Sequence, residues 1–369
     1  MVKKKMQADM SDRKMGILTM HRVKNSGSFL QAYATQMAIE RLGLRCEIID
    51  YLYPTKDNGR ALYHTPMTYR FAWQHLAQNV YHRRWDEVRR QLREMRWSRM
   101  IQKMLKVSDQ SYDTQEELMA MDTEYDTILL GSDQVWNERF TKEDMSFMLP
   151  FAKDDVRCVS YASSAPSTNM TDAYRQNLKR HLAKFESIAT REKESARLLT
   201  ELLGRKVDVV LDPVMLFGAD EWTRKLRIKP KGQKKYVLVY LLNYMGNATN
   251  AAMTYTDNYT HKHPESDIFS TIQMDKPYVK LTDVMPKEFV ELIANADYVI
   301  TDSFHASAFA LLYRVPLVPM IYEKATDTRL IDLCNRVGVK KDDAYMCEEE
   351  KLQKEREESW NYLKRVLER

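Results

Sequence analysis

The sequence contains little that would direct the protein to a membrane or to nucleic acid. No apolar run approaches the length that spans a bilayer, and lysines 3–5 are not followed by the apolar segment of a signal peptide. The net charge is +5 over 369 residues, with 44% hydrophobic and 30% charged residues. Such a small excess does not by itself indicate a nucleic-acid partner. We therefore expect a globular cytoplasmic protein that binds no nucleic acid.

Metal-binding patterns are also absent. The four cysteines are widely scattered, and no pair has the spacing of metal ligands: Cys46, Cys158, Cys334 and Cys347. His261 and His263 alternate with Lys262 and have no third ligand nearby in sequence. The sequence thus predicts free thiols in a reducing compartment, no metal and no cofactor.

The length and the order of the predicted elements favour two α/β domains. Strand and helix patterns alternate, which is typical of parallel sheets, and no internal repeat or low-complexity tract interrupts them. A cluster of Pro, Gly and charged residues at 218–233 predicts the boundary. We assign residues 1–225 to an N-terminal domain, 226–345 to a C-terminal domain, and 346–369 to a charged terminal helix that either packs across the domains or lies on the surface.

A histidine lies at a predicted strand-to-helix turn in the second domain. Residues 297–301 are typical of a buried strand, and the Ala- and Leu-rich run 306–313 predicts a helix. Ser303 is placed to cap that helix, whose free amides and dipole favour an anion. His305 could meet a phosphate there and exchange a proton with its ligand. The alternative is a histidine that packs near the strand end and hydrogen-bonds only to the backbone.

Polar residues also follow two strands of the first domain, at the edge where open α/β sheets bind ligands. Asn25 and Gly27 lie in a basic loop after the first strand, placed to meet an anionic or polyhydroxyl ligand unless the loop is merely solvated. Ser132 and Asp133 follow the strand at 126–130. Asp133 would bind sugar hydroxyls or cap the next turn, and capping is the commoner role.

Four further charged residues are predicted at strand ends. Arg191 and Asp212 each follow a strand of the first domain, so both should point toward one cleft, unless they are structural ion-pair partners. Lys324 and Arg329 follow the strand after His305 and should reach its pocket.

A basic helical segment at 69–106 interrupts the first domain. Residues 70–106 hold ten Lys/Arg against three Asp/Glu, interleaved with Trp, Leu, Met and other apolar residues. The simplest interpretation is an amphipathic insertion with a solvated basic face. The alternatives are peripheral contact with an anionic membrane and binding of an anionic acceptor such as a diphosphate-linked glycan, with nucleic acid a poor fourth.

Several strings in one order resemble the polysaccharide pyruvyl transferase family. The most specific is Gly-Ser-Asp-Gln-Val-Trp-Asn at 131–137, and the others are Asn-Ser-Gly at 25–27 followed by Leu-Gln-Ala-Tyr-Ala, Arg-Glu-Lys-Glu-Ser at 191–195, Leu-Asp-Pro-Val at 211–214 and Asp-Ser-Phe-His at 302–305. Together they span most of the chain. The family usually has Gly after the histidine, whereas this chain has Ala306.

The resemblance implies two Rossmann-like domains facing a cleft, similar to the two-domain GT-B-like glycosyltransferase architecture. It implies a transferase of exopolysaccharide or cell-surface glycan biosynthesis that moves the pyruvyl group of phosphoenolpyruvate, the donor substrate, onto a sugar diol as a ketal. His305 and Asp212 would then be catalytic. Donor binding would fall to Arg191, Ser303, Lys324 and Arg329, and acceptor binding to Asn25, Gly27, Ser132 and Asp133. The acceptor would be a glycan or lipid-linked glycan.

Two other hypotheses stay open at this stage. A nucleotide-sugar glycosyltransferase would use the same architecture, because fold does not fix function. A non-catalytic glycan-binding protein would have lost donor chemistry, for which Ala306 and the polar stretch 243–266 are the motivation. The sequence leaves the sugar, its carrier and the oligomeric state unassigned.

Overall fold

The computed structural model describes residues 14–53, 77, 80–82, 84–122, 125–142, 144–165, 170–232, 234–242, 246–321, 328–338, 340–341 and 345–368. Within this part of the chain, parallel strands form two sheets that belong to two Rossmann-like domains, as predicted.

The first sheet consists of parallel strands that lie early in the chain. They are β1 (Lys14–Leu18), β2 (Arg45–Tyr51), β3 (Val107–Tyr112), β4 (Thr127–Leu130) and β5 (Arg157–Ser160), hydrogen-bonded in the order β3-β2-β1-β4-β5. A short parallel pair, β6 (Ala189–Thr190) and β7 (Asp208–Val209), follows β5 through isolated bridges. Strand β4 is buried at every position, which suits a parallel sheet covered by helices on both faces.

Helices connect these strands. They are α1 (Ser26–Arg41), α2 (Trp85–Met104), α3 (Gln115–Met119), α4 (Glu138–Thr141), α5 (Asp172–Leu182), α6 (Lys193–Leu203) and α7 (Ala219–Leu226). Of the predicted basic segment 69–106, the part from Trp85 is the helix α2, while residues 69–76 lie outside the described residues. Trp97 of α2 packs edge-on against Phe29 of α1, at 6.3 Å between ring centroids, so α2 is attached to the first domain.

The second sheet has a parallel core and an antiparallel edge. Its strands are β8 (Tyr236–Tyr240), β9 (Asp267–Ser270), β10 (Val279–Lys280), β11 (Tyr298–Thr301), β12 (Leu317–Pro319), β13 (Lys340–Lys341) and β14 (Tyr345–Met346), in the order β10-β9-β8-β11-β12-β14-β13. Its helices are α8 (Gly246–Lys262), α9 (Pro286–Asn295), α10 (Phe304–Leu312) and α11 (Thr328–Arg336).

Helix α8 corrects one expectation from the sequence. The polar stretch 243–266 predicts a loop and a short helix, yet α8 has 17 residues. Its buried stripe consists of the small residues Ala248, Ala252 and Thr256, which recur every four positions. Small side chains let the helix lie close to the sheet, but they give only a weak hydrophobic signal in a sequence.

An apolar core joins the two domains. Trp222 of α7 is fully buried, and its ring centroid lies 6.3 Å from that of Tyr33 on α1 and 5.3 Å from that of Phe309 on α10. Helices α9 and α10 of the second domain both pack against α1. The N-terminus of α1 is therefore held directly against the second domain.

The terminal helix α12 (Glu349–Leu367) packs back onto the first domain, which decides between the two predicted placements. The Tyr362 hydroxyl donates to the Ser160 carbonyl at 2.9 Å, and the Leu211 amide donates to Ser359 Oγ at 2.8 Å. The chain thus crosses between the domains twice, which restrains how they sit together.

Candidate functional site

The carboxyl ends of strands from both sheets meet at His305. Strand β11 ends at Thr301, and α10 begins at Phe304 with Ser303 as its N-cap, whose Oγ accepts from the Ala306 amide at 3.3 Å. His305 lies in the first turn of α10 and is 7% exposed. The strand-to-helix turn predicted from the sequence is therefore present, and its histidine lies against the first domain.

The imidazole of His305 packs on a glycine. A Cβ built on Gly27 would lie 2.3 Å from His305 Nδ1, so only glycine leaves room for the ring there. Asn25 Oδ1 accepts from the amides of Gly27 and Ser28, at 2.9 and 3.2 Å, and so caps α1. Asn25 and Gly27, predicted to bind the acceptor, thus have structural roles here. Asn25 caps the N-terminus of α1, and Gly27 leaves room for the imidazole of His305.

On its other side His305 faces Asp212. The distance from His305 Nε2 to Asp212 Oδ2 is 3.6 Å, longer than a hydrogen bond, and Nε2 has no hydrogen-bond partner among the described residues. The Asp212 carboxylate accepts from Ser132 Oγ at 2.8 Å, from Arg191 Nη1 at 3.1 Å and from the Val214 amide at 3.1 Å. Asp212 is therefore rigidly held, while the histidine nitrogen beside it is unsatisfied.

Arg191 is the cation of the cluster. Its Nε donates to Glu192 at 2.6 Å and its Nη1 to Asp212, and its guanidinium lies 4.4 Å from the ring centroid of Phe304. Its Nη2 lies 3.9 Å from Asp133 Oδ1 and has no hydrogen bond within the described chain. Since two nitrogens already bind protein carboxylates, Arg191 can offer a ligand one free nitrogen, which is too few for a two-nitrogen grip on a donor carboxylate.

Asp133 has an unusual backbone. Its φ is +86°, in the left-handed region that a residue with a Cβ seldom occupies. Its carboxylate accepts from Ser28 Oγ at 2.5 Å and from the Gln134 amide at 2.8 Å. These bonds, together with the bridge from Asp133 to Ser163, hold the strained residue in place.

The electrostatics keep the two aspartates ionised. Burial alone would raise the pKa of Asp212, but the charges of His305 and Arg191 outweigh it and hold that pKa well below its usual range. Burial likewise opposes ionisation of Asp133, and Arg191, His305 and the Ser28 hydroxyl bring its pKa below the usual range. The pKa of Arg191 is raised, because the charges of Glu192, Asp212 and Asp133 outweigh its burial.

The site is covered by protein. The exposed fraction of the residue is 3% for Arg191, 1% for Asp212, 0% for Ser132 and 8% for Asp133. In this structure these four side chains are therefore covered rather than open to solvent.

Of the predicted donor-binding cations, Lys324 and Arg329 remain to be placed. Lys324 is outside the described residues. Arg329 is partly buried on α11, which packs against α10. On the same helix Arg336 donates from Nη1 to the carbonyls of Arg191 and Val210, at 2.9 and 3.0 Å, and so fixes the backbone of Arg191 from the second domain.

Four residues at the site were not predicted from the sequence: Ser28, Glu192, Phe304 and Arg336. The first three are neighbours of predicted residues, so strand-end and helix-start positions already marked their places. Arg336 lies inside a helix pattern, and nothing in the local sequence distinguishes this buried arginine from exposed ones.

No group of three or more His, Cys, Asp or Glu side chains in the described ranges is arranged to hold a metal ion. In the same part of the chain no helix is both long and apolar enough to cross a bilayer. All four cysteines are free thiols.

A family model described as "Polysaccharide pyruvyl transferase" matches residues 25–324, most of the chain. No curated protein matches this chain significantly in sequence. A Listeria monocytogenes structure, provisionally assigned as a UDP-N-acetylglucosamine 2-epimerase, is similar with 12% identity and a TM-score of 0.51, over 97% of this chain and 89% of that chain. S. aureus MnaA, solved with UDP, is similar with 12% identity and a TM-score of 0.50, over 94% and 87%. At such identities these likenesses concern the fold alone.

Proposed function

The chain belongs to the polysaccharide pyruvyl transferase family, and on that premise we propose that it uses phosphoenolpyruvate to form a pyruvate ketal on a sugar diol of a glycan precursor. The observation that carries the proposal is a buried histidine between Gly27 and Asp212 where the two domains meet, whose Nε2 has no hydrogen-bond partner in the described part of the chain. A buried nitrogen without a partner is costly unless a ligand or a proton transfer uses it.

His305 is the proposed acid. Its imidazolium would protonate the methylene carbon of phosphoenolpyruvate, which leaves positive charge on the central carbon. The two ionised aspartates near the ring, Asp133 and Asp212, would stabilise both the imidazolium and that developing charge. Because Asp212 already accepts three hydrogen bonds, its proposed task is to orient the histidine rather than to act as a base.

Asp133 is the proposed base that accepts the proton of the first sugar hydroxyl. The first sugar hydroxyl adds to the central carbon and its proton passes to the Asp133 carboxylate, while the second hydroxyl displaces phosphate and closes the ketal. Of the two hydroxyl protons, one restores His305 and the other leaves with phosphate. No oxidant, reductant or cofactor is required.

The charge of the cluster indicates where the donor's anionic groups go. Three buried carboxylates, those of Asp133, Glu192 and Asp212, face one guanidinium, that of Arg191. A phosphate and a carboxylate would be repelled unless further cations join them. We therefore propose that Lys324 and Arg329 hold the donor phosphate, Ser303 and the α10 amides assist, and Arg191 Nη2 contacts the donor carboxylate.

The acceptor side follows from the same arrangement. Ser132 and Asp133 end β4, and Asn25 and Gly27 begin α1, so an opening between α1 and α10 would expose these groups to sugar hydroxyls. We propose a glycan or lipid-linked glycan acceptor in the cytoplasm. Sugar recognition then depends on domain opening, because the groups are covered when the interface is closed.

The test is a donor screen followed by turnover. Phosphoenolpyruvate should bind by calorimetry, and phosphate should be released only when a panel of sugar diols is added, with a ketal mass on the product. His305→Gln should bind the donor and release no phosphate. Heat from UDP but none from phosphoenolpyruvate would favour the glycosyltransferase hypothesis. Glycan binding with no turnover of any donor would favour the non-catalytic one.

A further inference from the structure

Helix α2 presents a cationic stripe to solvent. Its outward residues are spaced alternately by four and three positions, which places them on one side of a helix of 3.6 residues per turn: Trp85, Arg89, Leu92, Arg96, Arg99 and Lys103. All six are exposed. Off the stripe, Val88, Trp97 and Ile101 are buried. The stripe contains four cations and no carboxylate.

The cations of this stripe are not neutralised by the helix's own acids. Glu87 pairs with Arg90, and Glu94 pairs with Lys24, both on the side of the helix away from the stripe. Arg93 pairs with Asp283 of the second domain at 2.9 Å. The four stripe cations have no ion pair with any residue in the described ranges. These ion pairs all lie off the stripe, so its outward face stays positive.

Large apolar side chains accompany these cations. Trp85 is 53% exposed and Leu92 is 43% exposed, both on the stripe. In the turn before the helix, Val80 is 44% exposed and Tyr81 is 83% exposed. Exposed aromatic and aliphatic groups among unpaired cations are the composition that suits the headgroup region of a bilayer, where rings and methylene stems are buried and charges meet lipid phosphates.

The positive surface continues beyond the helix. Arg96 also forms one wall of a cavity of about 640 Å³ whose other walls belong to the second domain. Three lysines line it (Lys229, Lys234 and Lys287) against two carboxylates (Glu288 and Glu291). Lys234 is paired with Asp267, so Arg96, Lys229 and Lys287 remain against the two carboxylates, and the surface beside the stripe is weakly cationic.

We propose that this stripe docks the protein on the surface of an anionic lipid bilayer, with Trp85 and Leu92 in the headgroup region and the four cations on lipid phosphates. A solvated basic face would have no use for an exposed Trp and Leu among its charges. A nucleic-acid surface would engage the cations but leave these apolar groups in water. The proposal concerns where the protein acts and stands whether or not the donor is phosphoenolpyruvate.

The mode of docking follows from the position of α2. The helix lies on α1, and Lys24, in the loop that leads into α1, pairs with Glu94. A bilayer bound to the stripe would therefore lie on the side of the domain that carries the proposed acceptor groups.

The experiment is co-sedimentation of the full-length chain with vesicles of phosphatidylcholine alone and of phosphatidylcholine mixed equally with phosphatidylglycerol. Each cation near an anionic surface contributes about fivefold to partitioning. The triple variant Arg89→Gln, Arg96→Gln, Arg99→Gln should thus partition about a hundredfold more weakly onto the anionic vesicles. Trp85→Ser should weaken partitioning by the same factor at low and at high salt. The loss caused by the triple variant should become smaller as the salt concentration rises, because salt screens the charges.

A matched control lies on α5, after β5 at the opposite edge of the first sheet. The triple variant Arg175→Gln, Lys179→Gln, Arg180→Gln removes the same charge and should partition as the unmodified protein does. Circular dichroism confirms that both triple variants are folded.

Equal partitioning onto neutral and anionic vesicles would overturn the proposal, and so would equal losses in the two triple variants. Binding to duplex DNA without binding to anionic vesicles would replace the bilayer with nucleic acid. Failure of the donor assay with docking intact would overturn the proposed reaction only.

Discussion

Two clusters in this protein contain the same residue types and differ in whether their hydrogen bonds are complete. His21, Arg22 and Asp50 form one at the ends of β1 and β2, and Arg191, Asp212 and His305 form the other at the domain interface. In the first, the ring nitrogens of His21 lie 3.1 Å from the Thr19 carbonyl and 3.0 Å from Asp50. Arg22 binds both oxygens of Asp50, at 2.7 and 2.5 Å. All these groups have partners within the domain.

The interface cluster leaves two nitrogens open. His305 Nε2 and Arg191 Nη2 are buried without hydrogen bonds to the described chain, and the neighbouring Asp133 has a positive φ. Completed bonds stabilise a fold, whereas unsatisfied groups and strained backbone persist where a ligand uses them. The comparison fits a structural role for His21 and supports the chemical role that we propose for His305.

The largest expected effect separates the two histidines. His305→Gln should lower kcat by about 10²–10⁴-fold, because it removes a general acid, and leave the melting temperature nearly unchanged. His21→Gln should lower the free energy of unfolding by about 1–3 kcal/mol and leave activity per folded molecule intact. Steady-state kinetics and thermal melts on both variants measure this. A reversed pattern would exchange the two roles.

Asp50→Asn tests the structural cluster. It leaves Arg22 and His21 buried with a neutral partner, so the free energy of unfolding should fall by about 3–5 kcal/mol. The hydrogen bonds and charges of His21 and Arg22 hold the pKa of Asp50 below its usual range despite burial. Because the folded-state pKa of Asp50 is below the unfolded value of about 3.9, the ionised carboxylate stabilises the folded state above that pH. This stabilisation is lost as the pH falls below about 3.9.

The difference between wild type and Asp50→Asn in urea melts should therefore be constant near neutral pH and shrink as the pH is lowered below about 4. A difference that grows on acidification would contradict the assignment.

Gly27→Ala should act through the histidine. The added methyl would displace the His305 ring, and a misplacement of about 1 Å costs about a hundredfold in rate. Gly218→Ala is the control, because its Cβ would meet nothing within 4 Å. That variant should stay within about 0.5 kcal/mol in stability and keep its activity. Equal activities of the two variants would show that the ring tolerates displacement.

The smallest effect concerns Asn25. Asn25→Ala should lower the free energy of unfolding by about 1 kcal/mol through loss of the α1 cap, and Asn25→Asp, which keeps the cap, should restore it. If Asn25 also binds the acceptor, the KM for the sugar should rise in Asn25→Asp even though the helix is capped. An unchanged KM would leave it a helix cap alone.

The sequence by itself determined the sheets and the places of the strand-end residues. The alternation of strands and helices is visible in the hydrophobic pattern, and strand ends are marked locally by that pattern and by cap residues. The structure therefore places at strand ends the residues that were predicted there: Ser132, Asp133, Arg191, Asp212 and His305. The family resemblance rests on the same strings. The length of α8 was not predicted, since its buried stripe consists of small residues.

Only the tertiary structure decided which of these residues touch. That His305 packs on Gly27, 278 positions earlier in the chain, follows from how the two domains dock through Trp222. Contacts within the first domain decided which nitrogen of Arg191 has no hydrogen bond to the described chain, and docking decided that Arg336 reaches the Arg191 carbonyl from the second domain. Such contacts join residues far apart in sequence, and their distances depend on the packing of whole elements, which no local pattern encodes.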